Sequence, residues 1–242
     1  MAEAIEEQDF LFDKSYTCPV CEKAFKSKTV RSGKARMLGT DQDLRPRFEG
    51  VDSLKYDAIV CPNCGYAALS RYFDFLVAIQ KKNIQDKICA NYKAQPKDDP
   101  YYTYDEAINR HKLALLSATV KGTKDSEKAY TCLKIAWLYR GASENTPAGE
   151  KYDEYLKQEE NFLRSAFDGF QSARMTEEAP MCGMDEMTVD YLISALALHF
   201  KEYSTAMNLL SGIITSTSAT SRMKDKARDL KEEVQKAQKA EE

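Results

Sequence analysis

Two short phrases of the same form, Cys18-Pro19-Val20-Cys21 and Cys61-Pro62-Asn63-Cys64, constrain this chain more than anything else in it. Two residues between cysteines let one tight turn aim both sulfurs at a common point, and the proline after the first cysteine stiffens that turn. In the second phrase Gly65 follows directly and supplies a position that tolerates positive φ. Four thiolates suit a tetrahedral, soft-ligand site. The pattern therefore predicts one structural metal ion per chain, zinc in first place, held by Cys18, Cys21, Cys61 and Cys64. The pairs stand 39 residues apart, wider than a compact ribbon. Doubling a loop adds only about 0.6 kcal/mol of closure cost, whereas structural zinc supplies on the order of 10 kcal/mol or more of coupled folding energy. The gap is expected to hold a hairpin or small sheet, with Arg36-Met37-Leu38 and Lys55 through Val60 as strands.

Other chemistries compete for the same cysteines. Iron fits a four-sulfur cage equally well, as in rubredoxin. A thioredoxin-like redox pair would need a βαβ pattern, and neither phrase sits in one. A catalytic zinc needs an open coordination position, which four cysteines would fill.

Around these phrases the chain changes grammar. Residues 1–14 read as an acidic tail, 15–66 as a small zinc-ribbon-like region, and 67–242 as an α-helical domain. Glycine and proline, ten and seven in 242 residues, are too scarce for many tight turns, which makes the protein mainly α. A first helix is expected immediately after Gly65-Tyr66, from the spacing of Leu69, Tyr72, Phe73, Leu76 and Ile79, with a break at 95–100. Further helices are expected at 104–121, 125–141, 150–175 and 186–202, then from near Ser204 and from near Ser221.

Several helices share a small–large–small phrase at spacing four then three. Ala166, Phe170 and Ala173 show it cleanly; Ala206, Leu210 and Ile213 end on a larger residue; Ala107, His111 and Ala114 are looser. Such positions let antiparallel helices approach closely and resemble a tetratricopeptide-like helical hairpin array. The phrases start 59 and then 40 residues apart, against a regular period of about 34. Stacked hairpins of this kind offer a surface to a protein or peptide partner.

The acidic N-terminus has no secretory character, and no apolar run is long enough to span a membrane. A cytoplasmic location follows as the expectation, and in that compartment seven cysteines are better explained by metal ligation than by disulfides. Between Lys23 and Arg47 eight basic residues face only Asp41 and Asp43, a net charge of +6 that makes nucleic acid the alternative partner. No phosphate loop, nucleophile elbow or metalloprotease motif is present, so a non-enzymatic role is expected. His111 and His199 read as packing or surface residues, Cys89 and Cys132 as small hydrophobes on helices, and Cys182, in the loop 180–183, as the leading candidate for a reactive thiol, though without a basic residue near it in sequence.

The phrases Tyr16 through Cys21 and Leu54 through Ala68, above all Cys61-Pro62-Asn63-Cys64-Gly65-Tyr66-Ala67-Ala68, resemble a bacterial family classed as a domain of unknown function. The resemblance extends over most of the chain. It implies bacterial origin, a four-cysteine metal site and tetratricopeptide-like helices behind it, and brings no activity. Arg31, Arg36 and Asp43 fall where that family often has basic and acidic residues, without an assigned role.

Overall fold

The computed structural model describes residues 6–94 and 99–241. The first five residues of the acidic tail and most of the break at 95–100 lie outside the described residues. Seven α-helices and six short strands are seen among the described residues, so the protein is mainly α. The strands are β1 (Leu11–Thr17), β2 (Ala24–Val30), β3 (Met37–Thr40), β4 (Pro46–Phe48), β5 (Ala58–Val60) and β6 (Ala67–Leu69). The helices are α1 (Ala78–Ile84), α2 (Tyr104–Lys121), α3 (Asp125–Glu144), α4 (Glu150–Thr176), α5 (Glu186–His199), α6 (Tyr203–Thr215) and α7 (Ser221–Glu241). No helix among the described residues is long and apolar enough to cross a membrane.

From α2 onward the helix limits lie close to those read from the sequence, because the start and stop signals are local. Thr103 accepts the amide of Glu106 at 3.2 Å to cap α2, and Gly122, at φ +64, ends it in the left-handed conformation. Asp185 caps α5 through the amide of Thr188 at 2.8 Å. The helix expected directly after Tyr66 does not form there. Ala67–Leu69 instead pairs with β5, Ser70–Tyr72 makes a 3-10 turn, and α1 begins only at Ala78. A strand and a turn threaded around a core place apolar residues at three- and four-residue steps as readily as a helix does, which is why the periodicity misled. Of the two expected strands, Met37–Thr40 and Ala58–Val60 are found, while Ser53–Tyr56 is a 3-10 turn.

The chain divides into two compact units. The first comprises the described residues up to Gly39, Pro46–Thr123 and Thr131–Phe162; residues on both sides of Tyr66 belong to it. Its three two-stranded sheets are β1/β2, β3/β4 and β5/β6. The β5/β6 pair is buried on both faces. Ile59 and Ala68 point into the cysteine-containing core, whereas Ala58, Val60 and Ala67 pack with Ala114 of α2. Alternation of side chains across a strand, with both faces covered, explains why this stretch reads as an unbroken apolar run. Ala107, His111, Ala114, Ala118 and Lys121 recur at helical spacing along the buried stripe of α2. A further cluster joins Phe10, Leu11, Val51, Tyr56 and Tyr102.

The second unit comprises Thr40–Arg45, Lys124–Tyr130 and the chain from Leu163 onward. Here α5 packs on α6 and α6 on α7. Val189 through Ala197 of α5 are all buried, as befits a helix covered on every side. α6 contributes Ala206, Leu210 and Ile213, and α7 lays down a stripe of Ala227, Leu230 and Val234. At Gly169 of α4 an added Cβ would stand 2.9 Å from that of Ala129, so the glycine sets a close helix approach.

Candidate metal centre

Each Cys-Pro-x-Cys phrase is the turn of a hairpin. β1 and β2 pair antiparallel down to Thr17 opposite Ala24, and β5 and β6 down to Val60 opposite Ala67. The two turns carry the same backbone wiring. In the first, the Cys18 carbonyl accepts the Glu22 amide at 2.8 Å and the Cys18 amide donates to the Lys23 carbonyl at 3.1 Å. In the second, the Cys61 carbonyl accepts the Gly65 amide at 2.9 Å and the Cys61 amide donates to the Tyr66 carbonyl at 2.8 Å. This wiring requires a left-handed residue four places after the leading cysteine. Gly65 fills it at φ +77 and Glu22 at φ +62. Gly65 meets a second demand too, since a Cβ there would stand 2.3 Å from the Tyr92 ring.

The hairpins bring all four expected cysteines together. Their sulfurs lie within 4.8 Å of one another, with Cys18–Cys64 and Cys21–Cys61 both at 3.6 Å. A tetrahedral site with metal–sulfur bonds of about 2.3 Å has sulfur–sulfur edges of about 3.8 Å, so this donor set could hold one metal ion. Cys18 and Cys61 are wholly buried, Cys64 is buried and Cys21 half-buried. Asn63 points its amide at the Cys61 sulfur at 3.9 Å, a second-sphere donor supplied by the motif itself.

The electrostatics follow from crowding. Hydrogen bonds from Cys18 and then Cys64 favour the thiolate of Cys61 and pull its pKa down to about 2. Cys18 is pushed up to about 12, first by its hydrogen bond to Cys61 and then by burial, and Cys64 is pushed up by its bonds to Cys18 and Cys61. Four sulfurs this close cannot all carry charge on their own. A coordinated cation removes that conflict and deprotonates its thiols.

An aromatic floor supports the hairpins. The rings of Tyr16, Phe25 and Phe73 lie 5.8–5.9 Å apart, and Tyr66 contacts Phe73 at 5.1 Å and donates its hydroxyl to the Phe73 carbonyl at 3.0 Å. Ile84 and Ile88 are buried in the same core. After α1 the chain widens into a π-helical turn, Gln85–Cys89, in which Gln85 donates to the Val20 carbonyl of the first hairpin turn at 3.5 Å. Cys89 packs against the same core, and burial raises its pKa. Spacing gave no hint of this fifth thiol, because it stands 25 residues beyond Cys64 and on a separate element.

The remaining candidates fall elsewhere. His111 is wholly buried on α2, with Nδ1 2.8 Å from the Ala107 carbonyl and Nε2 without a partner. His199 is exposed and sits edge-on to Phe200. Cys132 is buried, and so is Cys182, whose sulfur contacts the Ser126 carbonyl at 3.2 Å, which removes the exposure a reactive thiol needs. Trp137 is core. Within the basic stretch, Lys28 pairs with Asp13, Arg36 with Glu49 and Arg47 with Glu144, and Arg45 is buried.

The profile of a family described as "Uncharacterized protein conserved in bacteria (DUF2225)" matches residues 11–234. No curated protein and no solved structure matches the chain.

Proposed function

We propose that this chain, which belongs to that uncharacterised bacterial family, is a cytoplasmic, non-catalytic adaptor whose first unit is locked by a structural zinc ion and whose helices present a surface to another protein. One observation carries the metal half: four cysteine sulfurs, three of them buried, converge within 4.8 Å on two hairpins with identical wiring. Zinc suits a closed four-thiolate shell with no vacant position, and it would contribute folding energy rather than reactivity. Cys18, Cys21, Cys61 and Cys64 would hold it, Asn63 would donate to one thiolate, and the aromatic floor would keep water away.

The adaptor half draws support from the helices. Ala166, Phe170 and Ala173 on α4, and Ala206, Leu210 and Ile213 on α6, are all buried, as the small–large–small phrase of tetratricopeptide-like hairpins requires. The nucleic-acid reading draws less support, since half of the eight basic residues are buried or ion-paired within the chain and Phe25 lies in the core.

The test is elemental analysis of protein purified without added metal, with alkylation of the same sample. One zinc per chain, and four thiols that react only after chelation, is the expected result. Red protein holding iron would replace structure with electron transfer, and metal-free protein with freely reactive pairs would overturn the zinc reading. For the partner, retention on nucleic acid that weakens with salt and in Lys26→Ala/Lys34→Ala would sink the adaptor reading.

A further inference from the structure

We propose that the outer edge of β1 is a docking site for an extended, acidic segment of another protein, which adds to the β1/β2 hairpin as a third strand. The proposal rests on the adaptor reading above and gives it a second surface, apart from the helices. Register is its starting point. Residues facing each other in an antiparallel pair alternate between those that exchange both backbone hydrogen bonds and those whose amide and carbonyl point away from the partner strand. Arg31 donates to the Phe10 carbonyl at 2.8 Å and Cys18 to the Lys23 carbonyl at 3.1 Å, so Phe12, Lys14 and Tyr16 carry the bonds to β2. The amides and carbonyls of Asp13, Ser15 and Thr17 are therefore turned outward. Lys28 fixes the same phase: it stands opposite Asp13 and sends its amide away from β1, to the Tyr102 hydroxyl at 3.1 Å.

The other strands of this unit have outward groups that side chains of the fold meet. Tyr102 takes the Lys28 amide on β2, Arg110 donates to the Ala58 carbonyl of β5 at 3.3 Å, and Ser117 takes the Ala67 amide of β6 at 3.2 Å. β1 is different. It is seven residues long, and its Asp13, Ser15 and Thr17 are exposed, with no hydrogen bond to their outward backbone among the described residues. A row of donors and acceptors repeating at every second residue is a template for another extended backbone.

Charge selects the occupant. Lys14 lies on one face of β1, over the Tyr16 ring at 5.0 Å, and Lys26 stands opposite Ser15 on the other face. Neither lysine has an ion-pair partner among the described residues, whereas Asp13 is held by Lys28 at 2.9 Å. The hairpin from Leu11 to Val30 carries a net charge of +2. A second copy of β1 would bring like charge to like, while an acidic strand meets the two open lysines.

The experiment uses the full chain and two labelled peptides, one alternating valine with glutamate and the other valine with lysine, with binding read by fluorescence anisotropy. The glutamate peptide should bind at least about tenfold more tightly than the lysine peptide, and its binding should weaken as salt rises. Amide exchange followed by NMR should show it protecting Asp13, Ser15 and Thr17. Ser15→Pro deletes one outward amide and none of the bonds to β2, a change that an edge strand tolerates; it should melt like the wild type and bind the glutamate peptide at least about tenfold more weakly. Lys14→Glu leaves the backbone intact and should reverse the preference between the peptides, which decides the matter even where the proline variant is unstable. Binding unchanged in both variants would put the peptide elsewhere on the molecule, overturning the edge site while leaving the adaptor reading intact. Failure of both peptides to bind would overturn it too. So would a dimer in sedimentation that Ser15→Pro abolishes, since the edge would then belong to a second copy.

Discussion

Removing the metal should unfold far more than the cysteine region. The core around the four sulfurs includes Val20 and Phe25 of the first hairpin, Ile59 and Ala68 of the second, and Phe73, Ile84 and Ile88 beyond them. The opposite face of β5/β6 is the seat of α2, through Ala58, Val60, Ala67 and Ala114. A four-thiolate zinc is worth about 10 kcal/mol or more of folding energy, and a whole domain is stable by only about 5–15 kcal/mol. Its loss therefore takes most or all of the margin of everything that shares this core. Hydrogen exchange read by mass spectrometry, before and after chelation, is the assay. Amides around Ile59, Ala68, Ile84 and Ala114 should lose protection together, while those around Leu192, Leu210 and Leu230 in the second unit keep theirs. Retained protection at Ala114 would refute the dependence of α2 on the cysteine hairpins. A Cys61→Ser variant that kept its zinc and lost less than about 1 kcal/mol would refute the four-ligand site itself.

Three further outcomes follow from the geometry. Gly65→Ala should cost about 2–5 kcal/mol in denaturant melts, from left-handed strain plus overpacking on Tyr92; Gly33→Ala, at φ +76 in open space, should cost only about 1–2 kcal/mol. Glu22→Gly should raise stability by about 0.5–1 kcal/mol, because relief at φ +62 outweighs an exposed ion pair with Lys81. Burial holds the His111 pKa down at about 4, so the unfolded chain protonates first as pH falls. That contribution is complete above the usual value near 6.5, shrinks as pH drops toward 4 and is flat below, amounting to about 2 kcal/mol between pH 7 and pH 5. Between pH 7 and pH 5 the wild type should lose about 2 kcal/mol more stability than His111→Leu in denaturant melts, and equal losses would contradict it.

The sequence by itself determined what is written in short-range chemistry. The two Cys-Pro-x-Cys phrases named the four sulfurs that the structure brings within 4.8 Å, because two-residue spacing is a local geometric demand. Caps and breakers placed the helices from α2 onward, since Thr103, Gly122 and Asp185 act within one turn. Tertiary structure alone decided the rest. Leu69, Tyr72, Phe73 and Leu76 recur at helical spacing, yet Ala67–Leu69 became a strand because β5 was there to pair with it and the hairpin turn fixed the register. Glu22 took a left-handed conformation that its residue type disfavours, since the first hairpin turn shares the wiring of the second. Cys89 packs against the core around the four cysteines from a different element, across a separation that no spacing rule covers. Contacts within a turn are encoded by neighbours in the chain, whereas contacts between elements exist only once the core has closed around them.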